Sequence, residues 1–318
     1  MTSANNSNDQ RRLILGDQSR TSIARRLSGK GLVFDLGPFR ARVFSRFPRL
    51  VDHLLDCYGP VPLIETEGAV HHTINVTWPN PIRRFLRRQV TAKTIPQMPM
   101  VPMAEKHVPL VFEMALNFVV ATGHYRHLIL HAGVVEVDGG AVIMSAASGG
   151  GKSTLVANLM ARGNRLLSDE FALVEPENGH LLGYPRPVSL KNDSIILVRD
   201  LLGKDQIRSE VAGTPKGKLA YVPIAQTAVS KAGDGVPPKA LVFPAFSPNQ
   251  PAFIQRLDPG IALTRLLASS PNYQIMGDAG FNSLMDLVES VPAFQITYRN
   301  SQESLSLFDE TLDMAAQR

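Results

Sequence analysis

The chain has 318 residues, 44% of them apolar and 19% charged, with a net charge of +5 at pH 7. That balance belongs to a globular protein with enough length for one large or two ordinary cores. A single cysteine, Cys57, excludes an intramolecular disulfide framework and suits a reducing cytoplasm, and without a run of about eighteen apolar residues no membrane span is expected.

Residues 1–30 carry Arg11, Arg12, Arg20, Arg25, Arg26 and Lys30 against only Asp9 and Asp17. They are rich in Ser, Asn and Arg, with one short apolar cluster at 13–15, so a disordered basic arm is expected. The long apolar core of a signal peptide is missing. From 31 to 45 apolar positions alternate, with Leu32, Phe34 and Leu36 before a Gly37-Pro38 turn and Phe39, Ala41 and Val43 after it. That pattern is a hairpin. A short helix around 50–58 and a strand over 72–78, with Ile74, Val76 and Trp78 on one face, complete a small β-rich lobe. Arg83-Arg84-Phe85-Leu86-Arg87-Arg88 reads either as a contact for phosphates or an acidic partner, or as a solvated helix face with Phe85 and Leu86 partly buried. No specific nucleic-acid motif accompanies it. The Pro/Met-rich stretch 95–103 is an extended connector rather than a metal site. An N-terminal α+β lobe is thus expected over 31–104, and a second domain over 105–318.

The second domain opens with a helix over 108–123, then a strand over 128–137. Asp138-Gly139-Gly140 is a strong hairpin signal, followed by the apolar strand 141–144. A two-residue turn at Asp138-Gly139 pairs 137 with 140 and sets His131 opposite 146. A turn one residue later sets His131 opposite 148. Either register puts His131 beside the segment that follows, Ala146-Ala-Ser-Gly-Gly-Gly-Lys-Ser153.

That segment fits the phosphate-cradling pattern of a small residue, four spacers and Gly-Lys-Ser, with Ala146 where a first glycine is usual. Gly149, Gly150 and Gly151 allow positive φ, so backbone N–H groups turn toward an anion. Lys152 is expected on the β- and γ-phosphates of ATP and the Ser153 hydroxyl on Mg²⁺, with Ser148 and Thr154 completing the nucleotide contacts. Leu155, Val156, Leu159 and Met160 make the helical stripe that follows, and Gly163 its cap. The helix N-terminus adds unpaired N–H groups and partial positive charge.

Next, Asn164-Arg-Leu-Leu-Ser-Asp-Glu170 is a short strand ending in two acids, placed to converge on Lys152 and Ser153. Ser153, Asp169 and Glu170 are candidate Mg²⁺ ligands. Neighbouring residues on a strand face opposite ways, so only one acid reaches the ion directly unless the chain bends, and Asp169 is taken as that one. Arg186 and Lys191, in a proline-stiffened segment, are candidates to neutralise transferring phosphoryl charge. Thr214-Pro-Lys-Gly-Lys218 is a second basic loop, of the site or of the surface. The last third offers strands at 240–246 and 294–298 and helices at 261–269 and 282–288. Asn300 and Glu303 open a final helix as a capping box. It names no chemistry.

In order, Leu130-His-Ala-Gly133, Ser148-Gly-Gly-Gly-Lys-Ser153 and Arg162-Gly-Asn-Arg-Leu-Leu-Ser-Asp-Glu170 resemble the HPr serine kinase/phosphorylase catalytic domain. With Glu113-Met-Ala-Leu-Asn-Phe118, Arg186-Pro-Val-Ser-Leu-Lys-Asn192, Lys216-Gly217 and Phe281, the chain is closer still to the bacterial HPr-kinase-related proteins associated with exosortase and exopolysaccharide gene clusters. The resemblance implies an α/β fold with the P-loop kinase core shared with phosphoenolpyruvate carboxykinase. It implies that Lys152 and Ser153 bind nucleotide and Mg²⁺, that Asp169 positions or deprotonates the acceptor serine, and that His131 stands near it. Thr154 replaces the acid that usually follows the P-loop serine, Glu170 replaces a second aspartate, and the glycine-rich signature loop has no counterpart. The expectation is therefore a cytoplasmic ATP-dependent kinase of a serine or other hydroxyl in an unidentified protein or peptide, with HPr itself and the reverse reaction not implied. Two alternatives stand beside it, a nucleotide-binding switch without transfer and a kinase of a small hydroxylated metabolite or saccharide. Homo-oligomerisation is left open.

Overall fold

The alternation over 31–45 becomes pleat. Leu32–Asp35 and Arg40–Ser45 pair antiparallel across Gly37, whose φ of 83° glycine adopts at little cost. The computed structural model describes residues 13–65, 70–147 and 149–317; among these, four sheets and ten α-helices form a mixed α/β structure. The first sheet has seven strands, running from Leu13–Ile14 at one edge through the 31–45 hairpin and His72–Thr77 to Met103–Ala104 at the other. The helix Val108–Gly123 is apolar almost all round, and it is buried for that reason. It belongs with Pro48–Cys57 to a core that runs from Leu15 through Val76 and Phe112 to Tyr221 and Ile224. Packing is therefore continuous across residue 104.

The second sheet orders Arg165–Ser168, Gly133–Val137, Gly140–Met144, Pro238–Phe246, Ala293–Tyr298 and Phe253–Leu257. Its three middle strands, Gly140–Met144, Pro238–Phe246 and Ala293–Tyr298, run parallel. The hairpin pairs Val137 with Gly140, with Asp138 at φ 48° and Gly139 at φ 74°, as a two-residue primed turn requires. Arg165–Ser168 lies antiparallel to Gly133–Val137, so it points the same way as Gly140–Met144 and ends at the same edge of the sheet.

Three expectations are corrected. Residues 13–28 are not a disordered arm. Leu15, Ile23 and Leu27 are buried in the first core, and the helix Arg20–Ser28 is capped by Ser19, whose side chain accepts from Ser22 N–H. Arg20 pairs with Asp52 at 2.7 Å and Arg26 with Glu65 at 2.5 Å. A few apolar residues at helical spacing sufficed to dock a segment whose composition is polar. Residues 1–12 lie outside the described residues. Second, Phe85 and Leu86 are not half-buried on a helix face; the segment is a single 3₁₀ turn, Pro81–Arg84, and both side chains stand in solvent. Third, the run 128–137 is two strands. Leu128–Leu130 joins a small sheet with Ala172–Val174, and the chain changes sheets at His131-Ala132 before Gly133–Val137 begins. No helix among the described residues is long and apolar enough to cross a membrane.

Removing residues 1–29 should strip Leu15, Ile23 and Leu27 from the core. At roughly 1.5–3 kcal/mol per buried side chain the loss is about 4–9 kcal/mol. A thermal melt of the shortened chain that matches full length would show that this docking contributes nothing.

Candidate functional site

The strand Gly140–Met144 is buried along its whole length, and the chain leaves it into the glycine loop. Gly149 and Gly151 take φ of 87° and 84°, and Gly151 is the N-cap of the helix Lys152–Ala161 with no side chain closing that end. The first N–H groups of the helix thus face outward without a cap. Two later strands hold the loop in place. Phe246 N–H donates to Gly150 O at 3.2 Å, and the Tyr298 hydroxyl donates to the same oxygen at 3.1 Å. A Cβ at Gly151 would collide with that hydroxyl. Ser148 lies outside the described residues.

Asp169 and Glu170 follow the strand Arg165–Ser168, and the chain bends there. Ser168 Oγ accepts from the N–H groups of Glu170 and Phe171 at 3.2 and 3.1 Å. The bend gives the two acids different neighbours. Asp169 is buried, 3% exposed, and Lys152 Nζ donates to its backbone oxygen and lies 3.3 Å from its Oδ1. Burial raises the Asp169 pKa above the ordinary 3.8; the Lys152 charge and a Ser153 hydrogen bond oppose that rise. Glu170 lines the open cleft, with its Oε1 3.6 Å from His131 Nδ1. Burial holds the His131 pKa below 6.5, so the imidazole is neutral at pH 7. Gly133 lets its strand lie close against the helix Lys152–Ala161, because a Cβ there would meet Val156 Cγ2 at 2.7 Å.

The cleft has a volume of about 690 Å³, within the range of small-molecule sites. His131, Thr154, Lys191 and Lys216 join Lys152, Ser153 and Glu170 along its walls. Lys191 ends the strand Val188–Lys191. Burial and the neighbouring Lys216 charge lower its pKa below 10.5. Asn192, next to Lys191, ties this strand end to the turn that follows Lys216, because its Oδ1 accepts from Lys218 N–H at 3.0 Å and a Cβ on Gly217, φ 87°, would strike it. Neither Lys191 nor Lys216 has a carboxylate within ion-pair distance among the described residues.

Arg186 also lines the cleft, as a buried side chain rather than an open one. Its guanidinium is buried and committed to Glu113, which also receives Tyr58 Oη at 2.8 Å and lies 2.7 Å from His53 Nε2. An arginine with a buried carboxylate against it offers little net charge to a ligand. Sequence reasoning also passed over the C-terminal region. Tyr298, Arg299, Asn300, Ser301 and Ser304 line the cleft at the start of the helix Ser301–Ala316. The Asn300–Glu303 capping box was the available signal; Asn300 Oδ1 accepts from Glu303 N–H at 2.9 Å. The site therefore has three helix N-termini around it, those of Lys152–Ala161, Asp193–Leu202 and Ser301–Ala316. Their partial positive charges add to those of the lysines.

No family model matches the chain, and no curated protein does. Among solved structures, the HPr(Ser) kinase/phosphatase from Coxiella burnetii is similar over 59% of this chain and 90% of that one, with 14% identity and a TM-score of 0.28. At that score the likeness decides nothing about chemistry, which rests on the cleft residues themselves.

Burial alone would raise the Glu113 pKa, but Arg186, His53 and Tyr58 bring it down to about 2. Burial alone would lower His53, but Cys57 and Glu113 raise it to about 10. Glu113 therefore contributes stability that is complete above pH 4.5 and lost as pH falls toward 2. The His53 contribution is complete below pH 6.5 and lost as pH rises toward 10. Glu113→Gln leaves the Arg186 charge buried and unpaired, an expected loss of about 3–5 kcal/mol, and it should remove the acid limb of the melting profile while only weakening the basic limb, which Cys57 also supports. Unchanged melting temperatures between pH 3 and pH 9 in the variant and wild type alike would refute this account of the network.

Proposed function

We infer that the chain is an ATP-dependent phosphotransferase acting on a hydroxyl group, with a serine of a protein or peptide as the acceptor class. One observation carries the reading: two positive-φ glycines lead into an uncapped helix N-terminus, where Lys152 lies against the buried Asp169 beside an approximately 690 Å³ cleft. Uncapped N–H groups and a lysine at a helix start suit phosphate oxygens. The order of strand, loop and helix, with two acids supplied from the same sheet edge, supports the finer reading of an HPr kinase/phosphoenolpyruvate carboxykinase type of P-loop core. Residues 105–318 supply every group named in this reading, which supports treating them as the catalytic part and 31–104 as its supporting lobe.

The donor set fits a small hard cation. Ser153 bonds to Asp169, and Glu170 stands next to it in the chain. Among the described residues no three His, Cys, Asp or Glu side chains converge to hold a metal unaided, and Mg²⁺ commonly takes one or two carboxylates together with substrate phosphates. Bound there, Mg²⁺ would neutralise charge that builds on the phosphate oxygens during transfer.

The chain's own groups then divide the work. Lys152 leaves Asp169 when it takes the β- and γ-phosphates, which uncovers the carboxylate where the acceptor arrives. Asp169, with its raised pKa, is the base that takes the acceptor proton. Glu170 and the neutral His131 orient the acceptor from the open side. Lys191 and Lys216, short of acidic partners, stabilise the negative charge spread over the transferring group. Arg186 acts from below, by fixing the strand that carries Lys191.

Lys152→Ala should weaken ATP binding by roughly 1.5–3 kcal/mol, because a charge-assisted contact is lost; equal affinity by calorimetry would sink the phosphate-loop assignment. Asp169→Asn should leave ATP binding near wild type while transfer falls about 10²–10⁴-fold, and Glu170→Gln should cost less. In the wild type, transfer should decline on the acid side through a pKa above 3.8. ATP binding with no transfer to lysate protein, small molecule or water, in wild type and Asp169→Asn alike, would replace the kinase with a nucleotide-binding switch.

A further inference from the structure

The connection between His72–Thr77 and Gln89–Ile95 serves no contact of the cleft, yet it is the most unusual surface among the described residues. Ile82, Phe85 and Leu86 are 67%, 78% and 64% exposed within five positions. Single exposed apolar residues are ordinary, but three in one turn are a patch. The same turn carries Arg83, Arg84, Arg87 and Arg88, and no acid occurs from Pro79 to Gln89. The one neighbouring acid, Glu105, lies 3.6 Å from Arg88 and accepts from the Trp78 indole at 3.4 Å. Arg83, Arg84 and Arg87 have no carboxylate partner among the described residues.

The turn is ordered rather than frayed. Asn80 Oδ1 caps it by accepting from Arg83 N–H at 3.1 Å, and the N–H groups of Phe85 and Leu86 donate to Ile82 O at 3.0 and 2.9 Å. Arg87 takes φ 46°, which reverses the chain just after the apolar pair. The Arg84 guanidinium lies over Trp78 at 5.1 Å and over Phe85 at 5.4 Å. Ordering cost is thus largely met before any partner arrives.

We propose that this turn docks the protein on the surface of an anionic lipid bilayer, with Ile82, Phe85 and Leu86 entering the headgroup boundary and the arginines binding lipid phosphates. Apolar side chains at the tip gain by leaving water for the acyl boundary, which a purely ionic partner would not offer. Arginine stems extend along apolar surface while their heads stay with the phosphates. Neither element suffices alone. A few apolar residues give weak, reversible binding, and the positive charge adds both affinity and preference for anionic lipid.

The chain's single tryptophan, Trp78, sits under Arg84 and reports on the patch directly. Full-length protein is mixed with vesicles of phosphatidylcholine alone or of phosphatidylcholine with phosphatidylglycerol, and followed by sedimentation and Trp78 fluorescence. Binding and a fluorescence shift are expected only with phosphatidylglycerol, weakening as salt rises. Phe85→Ser with Leu86→Ser should reduce partition on the order of ten-fold, and Arg83→Gln or Arg87→Gln roughly five-fold each with a shallower salt dependence. These side chains touch no core, so melting temperatures should stay at the wild-type value. The proposal is overturned if wild type ignores anionic vesicles or if the Phe85/Leu86 double variant binds them equally well. It is also overturned if the double variant abolishes self-association or binding to an acidic polymer while vesicle binding is absent.

Discussion

A buried carboxylate sets the geometry of this protein. Glu113 is buried in the middle of the helix Val108–Gly123, and its charge survives there because Arg186, His53 and Tyr58 converge on it. The partners come from two distant parts of the chain: the helix Pro48–Cys57 with the residue that ends it, and the segment just before the strand Val188–Lys191. Displacing any one leaves a buried charge or donor uncompensated, which apolar packing cannot tolerate. The network therefore fixes how the seven-stranded sheet, the central helix and the cleft wall meet, more narrowly than shape fitting among leucines and valines would.

Above that network the cleft has an uneven electrostatic composition. Three helix N-termini and the charges of Lys152, Lys191 and Lys216 face it, and two adjacent acids are set among them in different surroundings. The one-residue bend at Ser168 separates those acids, one against Lys152 and the other against His131. Basic walls attract an anion, while the acids give the site a place for a proton or a cation. A simple anion trap would have no use for Asp169.

Much of this was legible in the sequence, for local reasons. The motif at 146–153 and the stripe from Leu155 to Met160 are short-range patterns, and they fold as strand, loop and helix. The hairpin register at Val137 and Gly140 follows from turn chemistry alone. What escaped was long-range. Nothing within 128–137 marks the change of sheet at His131-Ala132, because both halves are apolar and the switch is imposed by Ala172–Val174 on one side and Gly140–Met144 on the other. Arg186 has the sequence neighbours of a ligand residue, and nothing near it in sequence marks its pairing with Glu113, seventy-three positions away. The polar composition of 13–30 outweighed three apolar residues that the core needed. Tyr298 gave no local sign that it completes a loop 148 residues earlier.

That last contact bears on how the protein is made. The glycine loop leaves the ribosome when barely half the chain exists, yet Pro238–Phe246 and Ala293–Tyr298, which brace Gly150, follow much later. Until they pair beside Gly140–Met144, the loop has no wall to hold its backbone in place. A nascent chain thus carries Lys152 and Ser153 through nearly half of the chain's length before Ala293–Tyr298 braces the loop beside them. Chains broken off before Tyr298 would retain the motif and lack its brace, so the order of translation makes the geometry of the loop depend on a strand made much later.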